Sequence, residues 1–424
     1  MSGLALGIDI GTSGIRTAVL NENGTLLCMA RAPHEVQDPY QIDAVAWWRA
    51  VQSCIAAQGD ALQQVGRNLS EVTAIAVDGT SGTMVLTDDA LRPVTRALMY
   101  NSAGFDAEAA QIARHAPDIH ITKGANSALA RALRLQGEDG AKAATKLLHQ
   151  ADFIAARLIG GGRASDHNNA LKLGFDPETE RWPAWFPQTG LRLDLLPHPH
   201  TVGAPVAQID AEVAQELGLS SRAVIHAGTT DSIAAFLAAA PLRAGAAVTS
   251  LGTTLAIKIV SASRIDDPVV GLYSHRLGDV WLTGGASNTG GGVLASMFDA
   301  AHLGRLSAQI DPDRPSALDY YPLLQPGERF PINDPLHPPR MTPRPTDDVA
   351  FLHGLLESIA RIEAQCYAAI VARGGAAPEV LFTAGGGASN ATWTKIRARV
   401  LGITPQAPTH SEAAIGAASL CLNR

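Results

Sequence analysis

The tripeptide G-T-[ST] occurs four times in this 424-residue sequence, at 11–13, 79–81, 228–230 and 252–254, each time after a run of β-favouring residues. Glycine lets backbone N–H groups approach an anion closely, and the neighbouring hydroxyl adds a donor, so turns of this composition suit a polyphosphate. One such tripeptide is more often a plain tight hairpin. Four at strand ends, with Asp78 directly before the second and Asp231 directly after the third, point to phosphate chemistry. Asp231, between G-T-T and an Ala-rich run, reads by itself as a helix N-cap first. No GxxxxGK[ST] and no helix-opening GxGxxG is present, which excludes the Walker and Rossmann solutions. Asp166 and His167 are adjacent rather than four apart, so a shared metal is not expected of them and a structural polar role is. Arg16 lies close enough to the first glycine turn to reach phosphate or sugar oxygens, or to be an exposed strand arginine.

The elements that must position these groups follow from the hydrophobic pattern. Strands are expected at 4–10, 16–20 and 25–31, forming an antiparallel meander, then an amphipathic helix over 43–67 and a strand at 72–77. A mostly helical insertion spans 106–158, broken by the polar segment 160–176. A strand at 223–227 leads into a helix over 232–239 that Pro241 ends, and the domain boundary is placed there. Beyond it come strands at 247–251 and 255–260, a helix over 348–373, a strand at 379–383 and a last helix from 411. The stretch 311–347 holds ten of the 25 prolines and reads as a long irregular loop whose Tyr320, Tyr321, Phe330 and Leu336 need burial. The recurrence of the glycine turn in both halves suggests a duplicated architecture.

Composition bounds the function. With 46% apolar and 17% charged residues the chain is globular, and its length exceeds what one core usually serves. A formal net charge of −7 with no basic block argues against nucleic acid. The apolar run at the start is interrupted by Asp9, so neither a signal peptide nor a membrane span is expected, and a cytoplasmic location is. Four scattered cysteines, Cys28, Cys54, Cys366 and Cys421, lack the spacing of a thiolate zinc site or a disulfide framework.

The segments LGIDIGTSGIRTAVL (6–20), AVDGTSGTMVL (76–86), HAGTTDSIAAFL (226–237), VTSLGTTLAIKI (248–259), GGASNTGGGVL (284–294) and FTAGGGASNATWTKIRARVLG (382–402) together resemble the sugar kinases of the FGGY family, which share the actin and Hsp70 nucleotide-binding fold. The resemblance runs through most of the chain. It implies an α/β chain with the two-domain actin-like ATPase (ribonuclease H-like) fold, mixed sheets flanked by helices. The expected domains are a sugar-binding one over 1–238 and 412–424 and a nucleotide-binding one over 239–411, with the active site at their boundary. ATP and Mg²⁺ are the expected cofactors, a ketose the expected partner, and the oligomeric state stays open. Residue by residue, the resemblance makes Asp231 the catalytic base and Asp9 the metal ligand. It assigns Asp9, Ser13, Gly14, Arg16, Asp78, Ser81 and Asp231 to the sugar, and Thr12, Ser13, Gly252, Thr253, Thr254, Gly386, Gly387, Asn390 and Trp393 to the nucleotide. Asn390 would offer its amide to the base, and Trp393 is either a purine platform or a core residue.

Within the family, DHNNALKLGFDP (166–177), GLYSHRLGDVWLTGGASN (271–288) and the 320–335 region are similar to the short pentulose kinases of cyanobacteria and plant plastids that phosphorylate D-ribulose. Where larger members show a Trp-Asn-Asp-x-Arg-like sugar motif, this chain has Met99-Tyr100-Asn101-Ser102-Ala103, with no arginine. The expected reaction is therefore D-ribulose to D-ribulose 5-phosphate. Another ketose or polyol (D-xylulose, glycerol-like) is the alternative, and an actin- or Hsp70-like ATPase or sugar-sensing protein without kinase activity the second.

Overall fold

The run LALGIDI is buried at all seven positions rather than alternately, which requires a strand covered on both faces. In the computed structural model, which describes residues 3–422 apart from 36, 39, 40 and 119, this strand is central to the first of two compact units. The first unit comprises Met1–Ala238 with His410–Arg424, the second Ala239–Thr409; of the expected segment 412–424, residues 423 and 424 lie outside the described residues.

In the first unit β1 (Leu4–Ile10), β2 (Gly14–Leu20) and β3 (Leu26–Pro33) form the expected antiparallel meander, and β4 (Val72–Gly79) adds in parallel on the other side of β1. Two short pairs come next, β5 (Met84–Thr87) with β6 (Lys146–His149) and β7 (Ala164–Asp166) with β8 (His198–His200). β9 (Pro205–Gln208) and β10 (Val224–Thr230) complete a six-stranded sheet in the order β3-β2-β1-β4-β10-β9. Helix α1 (Ala44–Gln64) is capped by Asp43, which accepts from Val45 N–H, and it turns Trp47, Val51, Cys54, Ile55 and Leu62 into the sheet at helical spacing. Another helix, Ala413–Ser419, lies against β1 so closely that a Cβ at Gly7 would fall 1.9 Å from the Ala414 carbonyl oxygen. The small residues of A-A-I-G-A-A-S are what allow this contact.

The insertion carries α2 (Asp106–Ala113), α3 (Ala128–Gln136) and α4 (Gln150–Ile159), and much of it gathers around a second core that includes Phe105, Ile112, Leu129, Phe186 and Leu195. The segment 160–176 differs from its polar appearance. It holds β7 and α5 (His167–Leu173), and Asp166, His167, Asn168 and Asn169 are all buried. Their polar atoms are largely consumed locally: Asp166 caps α5 by accepting from the Asn168 and Asn169 N–H groups and from the Asn169 amide. Helices α6 (Ala211–Leu217) and α7 (Asp231–Ala239) complete the unit up to its boundary.

The second unit repeats the plan. β11 (Ala246–Leu251), β12 (Leu255–Ser261), β13 (Tyr273–Leu277), β14 (Val280–Ser287) and β15 (Val380–Ala384) form a sheet in the order β13-β14-β12-β11-β15, with β15 parallel to β11 as β4 is to β1. The core lies between this sheet and α10 (Asp348–Val371), which comes after α8 (Gly291–Met297) and α9 (Ala300–Ser307) and precedes α11 (Ala391–Leu401). In the Pro-rich loop Tyr320, Tyr321 and Phe330 are buried as expected, but Leu336 is 79% exposed. Asp334 accepts from the Leu336 N–H at 2.9 Å, and this local turn leaves the leucine outside. Among the described residues no helix is long and apolar enough to cross a membrane.

One fully buried ion pair ties this unit together. Arg397 on α11 donates to both oxygens of Glu363 on α10 at 2.7 Å, and to Thr383 of β15 at 2.8 Å. Thr249 of β11 hydrogen-bonds to Glu363 and to Tyr367, at 2.9 Å for the latter. Removing one partner of such a pair strands a charge in the core, whereas replacing both with apolar groups does not. We expect Arg397→Met to destabilise the second unit by about 3–5 kcal/mol in urea unfolding, and Glu363→Leu combined with Arg397→Met to recover most of the loss. Equal destabilisation by the single and double variants would show that the pair matters only as packing.

Candidate functional site

In the first unit β1, β4 and β10 run parallel and end side by side. Their register sets Asp9 opposite Asp78 and Asp78 opposite Thr229. Between His226 and Thr229 the register of β10 shifts, and a Cβ at Gly228 would fall 1.7 Å from the Val77 carbonyl oxygen. The glycine is there to let a bulge pass β4, a device that re-aims the next residues of the strand. The tripeptide 228–230 is thus strand rather than an anion-binding turn, and α7 starts at Asp231 without a connecting loop. Asp231 is half-buried and accepts the Ser232 N–H at 2.6 Å.

The carboxyl groups assembled here cannot all be charged. Asp78 is 0% exposed, and neither of its carboxyl oxygens meets a donor. Burial first, then the charges of Asp9, Asp231 and Asp166, hold its carboxyl well above the usual range. Asp9, 4% exposed, is also pushed up by burial, against the opposing pull of Asp78 and Arg16. Arg16 lies 3.4 Å from Asp9 and 3.3 Å from Glu412. The hairpin that Asp9 leads into is closed by Gly11 N–H donating to Gly14 at 3.0 Å, with Thr12 and Ser13 exposed at its tip. A Cβ at Gly14 would lie 2.5 Å from the Ala32 carbonyl oxygen, so Gly14 is needed for the neighbouring strand. Ser81 is half-buried in the turn after β4.

Asp166, expected to be only structural, nevertheless acts on Asp78 through its charge. Burial, then Asp152, raises its carboxyl to about 7. The signal that could have placed it is the D-x-N-N cap, which turns the start of a short helix toward β10: Asn168 donates to Thr229 at 3.1 Å.

The second unit contains a cavity of about 770 Å³. Gly252 and Thr253 of the β11–β12 hairpin, Gly386, Gly387, Asn390 and Trp393 all line it, whereas Thr254 does not; its carbonyl closes the hairpin by accepting the Gly252 N–H at 3.2 Å. Gly291 and Gly292 at the start of α8 donate to the Gly252 and Thr253 carbonyls at 2.8 and 3.0 Å, and α9 supplies Leu303, Gly304 and Ser307. Neither helix is among the elements expected from sequence, although the T-G-G-G that opens α8 directly after a strand is a usable sign. For Trp393 the geometry favours one of the two readings, and for Asn390 it changes the expectation. Trp393 is 1% exposed and its indole N–H is committed to the Leu356 carbonyl at 3.1 Å, so it is a core residue that backs the cavity wall rather than a platform. Asn390 spends its amide inside the protein, accepting the Trp393 N–H at 3.0 Å and donating to Ser307 at 2.9 Å.

Known proteins share both halves of this arrangement. Residues 4–238 match the N-terminal domain of the FGGY family of carbohydrate kinases, and residues 247–423 match its C-terminal domain. The chain belongs to this family. The kinase is similar to the xylulose kinase of Escherichia coli (strain K12), 24% identical over 349 residues that cover 78% of this chain and 70% of that protein. It is likewise similar to the autoinducer-2 kinase of Yersinia enterocolitica, 25% identical over 97% of this chain and 84% of that one. Among solved structures, a "xyloylose kinase" from Brucella ovis superposes with a TM-score of 0.87 at 23% identity, covering 98% of this chain and 89% of the other, and this likeness bears on the actin-like fold. The protein is thus a sugar kinase, which sets aside the ATPase without a sugar substrate.

The kinase's own residues fit a nucleotide and its metal. A Cβ at Gly386 would meet nothing within 4 Å and one at Gly252 only the Thr254 oxygen at 3.9 Å, so both glycines border open space in the cavity. Among the described residues no group of three His, Cys, Asp or Glu side chains could hold a metal alone. Mg²⁺ does not ask for one, since it binds through one or two carboxylates with phosphate oxygens and water. Asp9, buried beside the donorless Asp78, suits that role.

Because the Asp166 carboxyl titrates near 7 when folded and near 4 when unfolded, the native state holds a proton between those values that the unfolded chain has lost. Stability therefore falls as pH rises from about 4 to 7 and levels off beyond. Asp166→Asn should remove this component: the stability difference between the native protein and the variant should decline over that interval in urea titrations at pH 4, 5.5 and 8. A difference independent of pH would refute the assignment.

Proposed function

We propose that the kinase transfers the γ-phosphate of ATP to a hydroxyl of a pentulose, D-ribulose before others, with Asp231 as the base. The observation that carries this reading is the bulge at Gly228, which brings Asp231 to the same strand ends as Asp9 and Asp78. Asp231 is the least enclosed of the three, as a group that must meet the acceptor hydroxyl has to be. In the reaction the sugar oxygen forms a bond to the γ-phosphorus, the bond from that phosphorus to the bridging oxygen breaks to release ADP, and Asp231 accepts the hydroxyl proton. Asp78, whose carboxyl burial and the neighbouring acids hold well above the usual range, is assigned to orient Asp9. We assign Asp9 as the Mg²⁺ ligand; the ion, when bound, neutralises charge on the phosphates. Ser13, Gly14, Arg16, Asp78 and Ser81 are assigned to the sugar side. On the nucleotide side Thr12 and Ser13, with Gly252, Thr253 and Thr254, are assigned to the phosphates, and Gly386 and Gly387 to the base, with Asn390 and Trp393 behind them.

The choice of D-ribulose is supported by the likeness at 166–177 and 271–288 to the short ribulose kinases and by the missing arginine in 99–103. D-Xylulose is the second reading, favoured by the names of several relatives at 22–27% identity. A cytoplasmic location accords with four cysteines that are all unpaired.

Asp231→Ala should lower turnover by about 10²–10⁴ with nucleotide affinity retained, the usual size of a general-base effect. Near-normal sugar phosphorylation by that variant would sink the assignment. In a coupled assay against pentuloses, hexuloses and polyols, D-ribulose should give the highest kcat/KM; a clear preference for D-xylulose would overturn the substrate. Gly386→Leu, which fills open space, should fold normally and weaken ATP binding by about tenfold or more, as removing a pocket's volume does. Unchanged ATP affinity in that variant would remove the nucleotide from the cavity.

A further inference from the structure

Arg131 on α3 is 4% exposed, and among the described residues no carboxylate accompanies it. Burial alone pulls its guanidinium down to about 10. An unpaired buried cation is costly, and an apolar side chain of similar volume would serve the core better. What Arg131 does instead is join three separate segments. One terminal nitrogen donates to the Gly82 carbonyl at 2.8 Å; the other donates to the Tyr100 carbonyl at 2.5 Å and the Asn126 carbonyl at 2.7 Å. Only a planar fork of several N–H groups reaches acceptors arranged this way, and the single ammonium of lysine does not.

The turn that Arg131 grips is the one bearing Ser81. Gly82 has φ +79°, and a Cβ there would lie 2.7 Å from the guanidinium, so glycine and arginine are fitted to each other. The opposite side of the turn is held from α4, where Gln150 accepts from the Thr80 N–H at 3.0 Å and the Thr80 hydroxyl at 2.7 Å. Thr80 meets the Thr83 hydroxyl at 2.7 Å, and Thr83 accepts the Tyr100 N–H at 2.9 Å. Ser81 thus lies in a turn clamped between α3 and α4, and the backbone of Tyr100 is clamped with it.

We infer that Arg131 is a positioning residue for the acceptor sugar, acting through the placement of Ser81; this rests on the reading of Ser81 as a sugar contact. A displacement of about 1 Å at a substrate contact costs on the order of 10² in rate, so loosening the turn falls on sugar recognition before it falls on the fold.

The test compares Arg131→Lys, Arg131→Met, Ser81→Ala and the Arg131→Lys/Ser81→Ala double variant, with Arg134→Gln as a control on the same helix that loses the ion pair to Glu108 and the guanidinium's contacts with the Gly104 carbonyl and the Phe105 ring. KM for D-ribulose and for ATP, kcat, the D-ribulose to D-xylulose ratio of kcat/KM, and Tm are measured on the full chain. Arg131→Lys, which keeps stem and charge, should raise the sugar KM by about tenfold and shrink the sugar ratio, with ATP KM within about twofold of native. In the Ser81→Ala background the same change should add less than about twofold, because coupled residues are not additive. Full additivity in the double variant, or a loss of active protein with sugar KM and ratio unchanged, overturns the positioning role and leaves the sugar-side reading standing. A Ser81→Ala enzyme with native sugar kinetics overturns both. Should Arg131→Met fail to fold, Arg131→Lys carries the test.

Discussion

Two carboxyl groups on adjacent parallel strands, Asp9 and Asp78, are buried opposite each other, and this burial pushes both above the usual carboxylate range. Close carboxyls in a desolvated site share a proton between them. The strand register leaves no freedom to separate them, since β1 is enclosed by β2, β4 and the helix pressed onto Gly7. Burial and the neighbouring acids thus favour the protonated form of Asp78, and Asp9 faces the Arg16 guanidinium at 3.4 Å. Asp231 escapes this constraint because the bulge at Gly228 sets it beyond the strand, at the start of a helix, where it is only half-buried.

The core of the second unit solves a comparable problem differently. Glu363 is as enclosed as Asp78, but it is met by both arms of Arg397 and by the Thr249 hydroxyl. Full pairing makes that network a fastener between β11, β15, α10 and α11; the cavity-lining Gly252 follows β11, and Gly386 and Gly387 lie between β15 and α11. Asp78 by contrast is buried with neither carboxyl oxygen meeting a donor, a cost that the fold bears at the ends of β1 and β4.

The frame is legible in the sequence because its signals are local: LALGIDI has no alternation, Asp43 caps the helix that begins at Ala44, and Pro241 closes the one that ends at Ala239. The same locality explains the misreadings. G-T-T at 228–230 looks like the turns at 11–13 and 252–254, and only the 1.7 Å approach of Gly228 to β4, a contact across about 150 positions of chain, shows it to be a bulge. D-H-N-N belongs to a segment of polar appearance, yet all four residues are buried, with Asp166 accepting from the Asn168 and Asn169 N–H groups and the Asn169 amide, and Asn168 reaching Thr229 of β10. Asn390 and Trp393 have the right chemistry for a purine, yet their polar atoms are already spent on Ser307 and Leu356, partners 83 and 37 positions away.

The repeat of the plan in the two units gives the difference between them a physical sense. Aligning the hairpins at G-T sets Asp9 of β1 against Ser250 of β11, and the paired registers then set Asp78 of β4 against Ala384 of β15. One frame therefore ends in two acids, the other in a hydroxyl and a methyl succeeded by three glycines. A rim of buried acids repels phosphate unless a cation or a proton intervenes, while a neutral rim of glycines exposes backbone N–H groups that attract it. The difference in charge between the two matching strand ends thus comes from substitutions alone and needs no difference in fold.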